Sequence, residues 1–236
     1  MSAGGVAATS IAAWDGTGWS PLGSGLNNSV NALAVFDDGG GTALFAGGKF
    51  TTAGGVAVNR IAKWNGSNWA SLVSGSSGMN STVDALIVFD DGGGPALYAG
   101  GLFTNAGGVA VSRIAKWDGS SWTPLGGGMG GSHLSSVYAL TAFDDGSGVA
   151  LYAGGSFMTA GGILANNIAR WDGSSWTALG SGMNSEVRAL AVFDDGGGDA
   201  LYVGGQFTTA GGVAVSRIAK WDLSLIHISE PTRPLH

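Results

Sequence analysis

The chain contains no cysteine, which excludes disulfides, thiolate metal sites and thiol nucleophiles together. It has three histidines. His227 and His236 fall near the C-terminus, so imidazole chemistry in the body of the chain rests on His133 alone. Charge is sparse as well: charged residues make up 11% of the sequence and the net charge is −6. Nucleic acid and anionic membrane surfaces require concentrated Lys and Arg. With no basic cluster present, neither is expected as a partner. No uninterrupted apolar run approaches the roughly 18–20 residues that span a bilayer, so no membrane insertion is expected of this segment. The N-terminal residues lack a basic region followed by an apolar stretch, and no signal peptide is read there.

What is present is repetition. Trp14, Trp64, Trp117, Trp171 and Trp221 recur at intervals of about 50 residues, the signature of a repeat architecture. The 45 glycines and 5 prolines stay below the roughly 25–30% that marks low complexity, and the glycines follow the repeat. Even the first residues belong to it, since Ala3-Gly4-Gly5-Val6-Ala7 matches Ala53-Gly54-Gly55-Val56-Ala57.

One copy illustrates the local reading. Residues 187–193 are short, rich in β-branched and aromatic side chains, and apolar on both alternating faces, as in a strand covered on both sides. Asp194, Asp195 and three glycines then supply turn chemistry, and residues 200–207 return as a second strand. Gly204 and Gly205 allow another backbone to approach closely. A small-residue connection leads to a third strand at 217–221. In the other copies a turn and a fourth strand follow, as at 122–125. Asp15-Gly16, Asn65-Gly66, Asp118-Gly119 and Asp172-Gly173 are strong hairpin signals, and the two Trp flanking each turn are expected to pair across strands.

Four antiparallel strands per copy of about 50 residues is the arithmetic of a propeller blade. The run of an apolar strand, a turn, Leu201-Tyr202-Val203-Gly204-Gly205, a loop, a strand ending in aromatic-Asp such as Trp171-Asp172, then Trp176 and Leu179 resembles the Kelch repeat, also found in galactose-oxidase-like propellers. The resemblance covers residues 1–222 and implies an all-β fold: a β-propeller of four-stranded antiparallel Kelch-like blades, about four of them, forming an incomplete propeller. The expected boundaries are a partial blade at 1–25 and blades from 30, 83, 137 and 187, the last incomplete. Residues 223–236 break the pattern and resemble translated sequencing-adapter read-through. They are set apart from the fold.

Length variation points to where a ligand is expected. The intervals Leu22 to Val30, Leu72 to Val83, Leu125 to Val137 and Leu179 to Val187 differ, and they account for every departure from the basic period. Loops carry function more often than strands do, so the variable loops holding Asn80, His133, Asn184 and Glu186 are the candidate ligand-binding face, with plain loop drift as the simpler reading. The opposite face collects every acidic residue except Asp84, Glu186 and Glu230. Hard cations want several carboxylate oxygens, which makes Asp194, Asp195 and Asp199 a candidate calcium set. Turn chemistry and solubility account for these residues more simply.

Enzymatic readings are weaker. A Ser-His-Asp triad would depend on the lone His133. Carboxylate catalysis needs two acids in unlike environments, whereas these Asp are copied from repeat to repeat. The copper chemistry of galactose-oxidase-like proteins needs Cys, Tyr and His ligands, and no Cys is present. The expected function is therefore a noncatalytic repeat module with no cofactor, acting structurally or binding an unidentified protein or glycan. The alternative is a carbohydrate-binding or carbohydrate-active propeller using the variable loops. Resemblance to bacterial extracellular propeller proteins, with the Gly/Ser/Thr/Asn-rich, lightly charged composition, implies secretion or cell-surface display within a larger protein.

Overall fold

The computed structural model describes residues 2–72, 78–132 and 134–221, and the backbone of 228–229. Among these the secondary structure is all β, and no helix is long and apolar enough to cross a membrane. Four four-stranded antiparallel sheets follow one another along the chain, each with its strands in sequence order. The first comprises Val30–Asp37, Thr42–Gly48, Ile61–Trp64 and Trp69–Ala70. The second comprises Val83–Asp90, Pro95–Gly101, Ile114–Trp117 and Trp122–Pro124. The third is Ser136–Asp144, Val149–Ser156, Ile168–Trp171 and Trp176–Ala178. The fourth is Val187–Asp194, Asp199–Gly205, Ile218–Trp221 and Ile228–Ser229. Its last strand comes from the segment set apart by sequence and pairs through Lys220↔Ser229 and Trp221↔Ile228. A separate hairpin, Ala12–Trp14 with Trp19–Pro21, precedes the first sheet.

The register is the same in every copy. Leu44, Leu97, Leu151 and Leu201 of strand two face Trp64, Trp117, Trp171 and Trp221 of strand three. In strand one a bulge lies between Val30 and Ala32, between Val137 and Ala139, and between Val187 and Ala189. The side chains of Asn31, Tyr138 and Arg188 sit at these bulges. The Asp-Gly turns close as expected, and the flanking Trp rings pair with centroids 5.3–5.4 Å apart.

The small-residue connection contains more structure than its sequence suggests. Thr52–Ala53 pairs with Val56–Ala57, and the equivalents recur at Asn105–Ala106, Thr159–Ala160 and Thr209–Ala210. Gly54 (φ 58°) and Gly55 (φ 80°) supply the two left-handed positions of a type I′ turn. Each miniature hairpin is bridged to the preceding variable loop: Ala53 to Leu26, Ala106 to Met79, Ala160 to Met129 and Ala210 to Met183. The methionines of those loops are consequently buried core residues.

The chain forms two compact units, Met1–Val88 with Pro95–Pro124, and Phe89–Gly94 with Leu125–His236. In the first, Phe36 and Phe45 of sheet one pack into one core with Val83, Leu97 and Ala99 of sheet two. In the second, Phe143, Tyr152 and Ile168 of sheet three pack with Val187, Leu201 and Val203 of sheet four. Glycine sets how closely these sheets approach. A Cβ on Gly47 would lie 2.5 Å from Val83 Cγ1, and one on Gly154 would lie 2.4 Å from Val187 Cγ1.

Candidate functional site

The variable loops are held down by an asparagine clamp. Asn184 Oδ1 accepts from the backbone N–H of Thr208 (2.8 Å) and Thr209 (3.0 Å), while Nδ2 donates to Thr208 Oγ1 (2.9 Å). Asn80 makes the same three bonds to Thr104 and Asn105, and Asn27 makes them to Thr51 and Thr52. Both amide ends of Asn80 and Asn184 are thus engaged with their own repeat. Their spacing was the available signal: each Asn precedes its Thr partner by 24 residues in all three copies.

Glu186 pairs with Arg188 at 2.7 Å, and the Arg188 guanidinium lies 4.3 Å above the Tyr138 ring. The Glu186 carbonyl accepts from Gln206 N–H. His133 lies outside the described residues, so the structure brings together no more than parts of the sequence-derived set.

In the second unit, Asn184 borders a shallow depression of about 390 Å³ that is also lined by Met158, Asn166, Asn167, Ser181 and Thr209. Asn166 and Asn167 hold left-handed conformations (φ 36° and 72°), which Asn tolerates better than most residues. Their Nδ2 groups donate to the carbonyls of Ser181 and Met183. Met158 is 58% exposed and presents its thioether at the rim. No carboxylate, imidazole, lysine or tyrosine lines this depression. Its walls offer amide, hydroxyl and thioether contacts, without a group to move protons.

On the opposite loops the paired aspartates divide two tasks. Asp194 Oδ1 accepts from Gly196 and Gly198 N–H, as Asp37, Asp90 and Asp144 do in their own turns. Asp195 accepts from Gly197 N–H, Tyr202 Oη and Lys220 Nζ, the last two at 2.8 and 2.7 Å. Lys220 and Tyr202 hold the Asp195 carboxyl below its ordinary range. Burial, together with the Asp195 charge, raises the Tyr202 phenol. Asp145 repeats the arrangement with Tyr152 and Arg170, and Lys63 pairs with Asp38. Asp199 sits opposite Asp194 in the ladder. Among the described residues no three carboxylates or imidazoles converge as a metal site, and the oxygens of Asp194 and Asp195 already accept turn amides and a cation.

The tryptophans are mostly packing. Trp69, Trp117, Trp122, Trp171 and Trp176 are buried. Trp69 Nε1 donates to Leu22 O (3.0 Å) and Trp176 Nε1 to Leu125 O (3.1 Å), joining each copy to the end of the one before. Trp14 and Trp19 of the first hairpin are the exposed pair. No family model matches the chain, and no curated protein matches it.

Proposed function

We propose that the chain is a noncatalytic module whose four-stranded sheets are Kelch-like blades of a β-propeller, part of a larger secreted or cell-surface protein with a structural or interaction role. The observation that carries this reading is the use made of the repeated polar side chains. Asn80 and Asn184 clamp loops, the first Asp of each pair closes a turn, and the second neutralises a strand-three cation. Copied groups consumed in copied contacts build an architecture, whereas a catalytic centre requires one arrangement unlike the rest.

A second reading, carbohydrate binding on the variable loops, is favoured by the depression beside Asn184. Its exposed Met158 and ring of amides suit a neutral, hydroxylated ligand. Asn184→Ala separates the two. The structural reading expects a lower Tm and a silent glycan array before and after the substitution. A reproducible glycan signal that Asn184→Ala abolishes while Tm is unchanged would overturn it in favour of the second.

A further inference from the structure

The first hairpin is built like strands three and four of every sheet, yet among the described residues nothing occupies the place of strand two beside it. In the complete sheets, the residue before strand three is left-handed: Arg60 (φ 70°), Arg113 (φ 67°), Asn167 (φ 72°) and Arg217 (φ 68°). Its carbonyl accepts the N–H of a strand-two glycine, Gly48, Gly101, Gly155 or Gly205, at 2.9–3.0 Å. Ser10 has the same conformation (φ 66°). It therefore carries a strained backbone shape whose usual purpose is to present a carbonyl to a strand that is not there. Asp15 N–H donates to Gly18 O at the hairpin turn. Alternation along the ladder then directs the peptide groups of Ala12 and Trp14 away from Trp19–Pro21, toward the open edge.

The floor beside this edge is apolar and open. Leu33 and Val35 of sheet one are 50% and 62% exposed, and Ser10, Ile11 and Ala12 together with Val30 and Leu33 border a groove of about 440 Å³. Inside each unit, the equivalent floor receives a strand-two glycine. Gly47 sits against Val83 and Leu86, and Gly154 against Val187 and Leu190. Val30 and Leu33 are the corresponding pair in sheet one.

We infer that this groove accepts a β-hairpin of the repeat's own strand-one and strand-two type, donated in trans. Its second strand would read aliphatic, aromatic, small, Gly, Gly, and would pair with Trp14, Ala13, Ala12 and Ile11 in the register of Leu44↔Trp64 through Gly47↔Ile61. The first of its two glycines would rest on Val30 and Leu33, and the second would donate to Ser10 O. Main-chain bonds along the edge supply the affinity, and the need for glycine over Val30 supplies the selectivity. An unpaired edge above an exposed apolar face is the arrangement that most readily recruits another strand.

A labelled peptide with the sequence of residues 187–205 is the probe, titrated against the full chain with hydrogen exchange as a second readout. Saturable binding and protection of the Ala12 and Trp14 amides are expected. Ala12→Pro, which removes an edge donor, and Leu33→Arg, which charges the floor, should each weaken binding by about tenfold or more. A peptide carrying Gly204→Leu should not bind, and this control leaves the protein untouched. Absence of saturable binding, or binding indifferent to Leu33→Arg and to the peptide change, overturns the inference. Self-association of the chain that blocks the groove against the peptide also overturns it, and names a second copy as the occupant.

Discussion

Gly154 and Gly204 occupy the same position in strand two of successive sheets, and neither needs a left-handed backbone. They differ in what lies over them. A Cβ at residue 154 would stand 2.4 Å from Val187 Cγ1 and 3.1 Å from Val187 Cβ, whereas at residue 204 the nearest atom is Ala189 Cβ at 3.8 Å. Val187 is β-branched and fully buried, so it has no alternative rotamer to move into. Overpacking of this kind costs about 1–3 kcal/mol, partly offset by the roughly 0.5–1 kcal/mol that Ala gains over Gly in a strand. Gly154→Ala is therefore expected to lose about 1–2 kcal/mol. Gly204→Ala keeps only the favourable part and should gain up to about 1 kcal/mol. At roughly 2–4 °C per kcal/mol for a chain of this size, calorimetry should show Gly154→Ala melting several degrees below wild type and Gly204→Ala at or slightly above it. Equal shifts would refute the argument, because they would mean that the strand position sets the cost and the stacked neighbour does not.

Other substitutions test the remaining contacts. Trp176→Phe removes the donor to the Leu125 carbonyl (3.1 Å) at a buried site and should cost about 1–3 kcal/mol in urea unfolding; no loss would show that this bond does not join the copies. Asp118 accepts from the backbone N–H of Ser121 and Ser120, and Asp172 from Ser174 and Ser175, which holds both carboxyls well below the ordinary range. Because the folded value is depressed, their stabilisation is complete above the unfolded pKa of about 4 and fades as pH falls from there toward the folded value. Asn65 fills the equivalent place and accepts from Ser67 and Asn68 N–H, so Asp118→Asn should leave the urea midpoint at neutral pH nearly unchanged and flatten its decline in acid. A decline as steep as wild type would remove Asp118 from that account. Asn184→Asp keeps the acceptor for Thr208 and Thr209 N–H and loses only the donor to Thr208 Oγ1. Its Tm should fall between those of wild type and Asn184→Ala; a Tm as low as that of Asn184→Ala would assign the clamp to the donor alone.

The strands and their turns were legible in the residues. The Asp-Gly pairs, the Trp on either side of them and the alternating apolar run from Val187 each act over a few neighbouring residues, and the hairpins formed where those signals lie. The miniature hairpin was missed although Gly54-Gly55 is a two-residue turn signal, because its strands, Thr52–Ala53 and Val56–Ala57, are too short to show a period. The acidic loops were read as a charged face. Lys220, which neutralises Asp195, is 25 residues away in sequence and becomes its neighbour only when strand three pairs with strand two. Asn184 was singled out as a possible ligand contact for the same reason, since Thr208 is invisible to a local reading.

By itself the sequence determined which residues turn, which extend and which strands pair with their neighbours, because chirality, glycine content and main-chain bonding act within a few residues. Which copies are covered was decided by the tertiary structure alone. Phe143 and Phe193 precede the same Asp-Asp-Gly and pair with the same strand-two alanine, yet one is 3% exposed and the other 58%. Burial belongs to the surface that arrives from elsewhere in the chain, and two copies with the same local sequence acquire different fates when only one of them has a sheet laid against it.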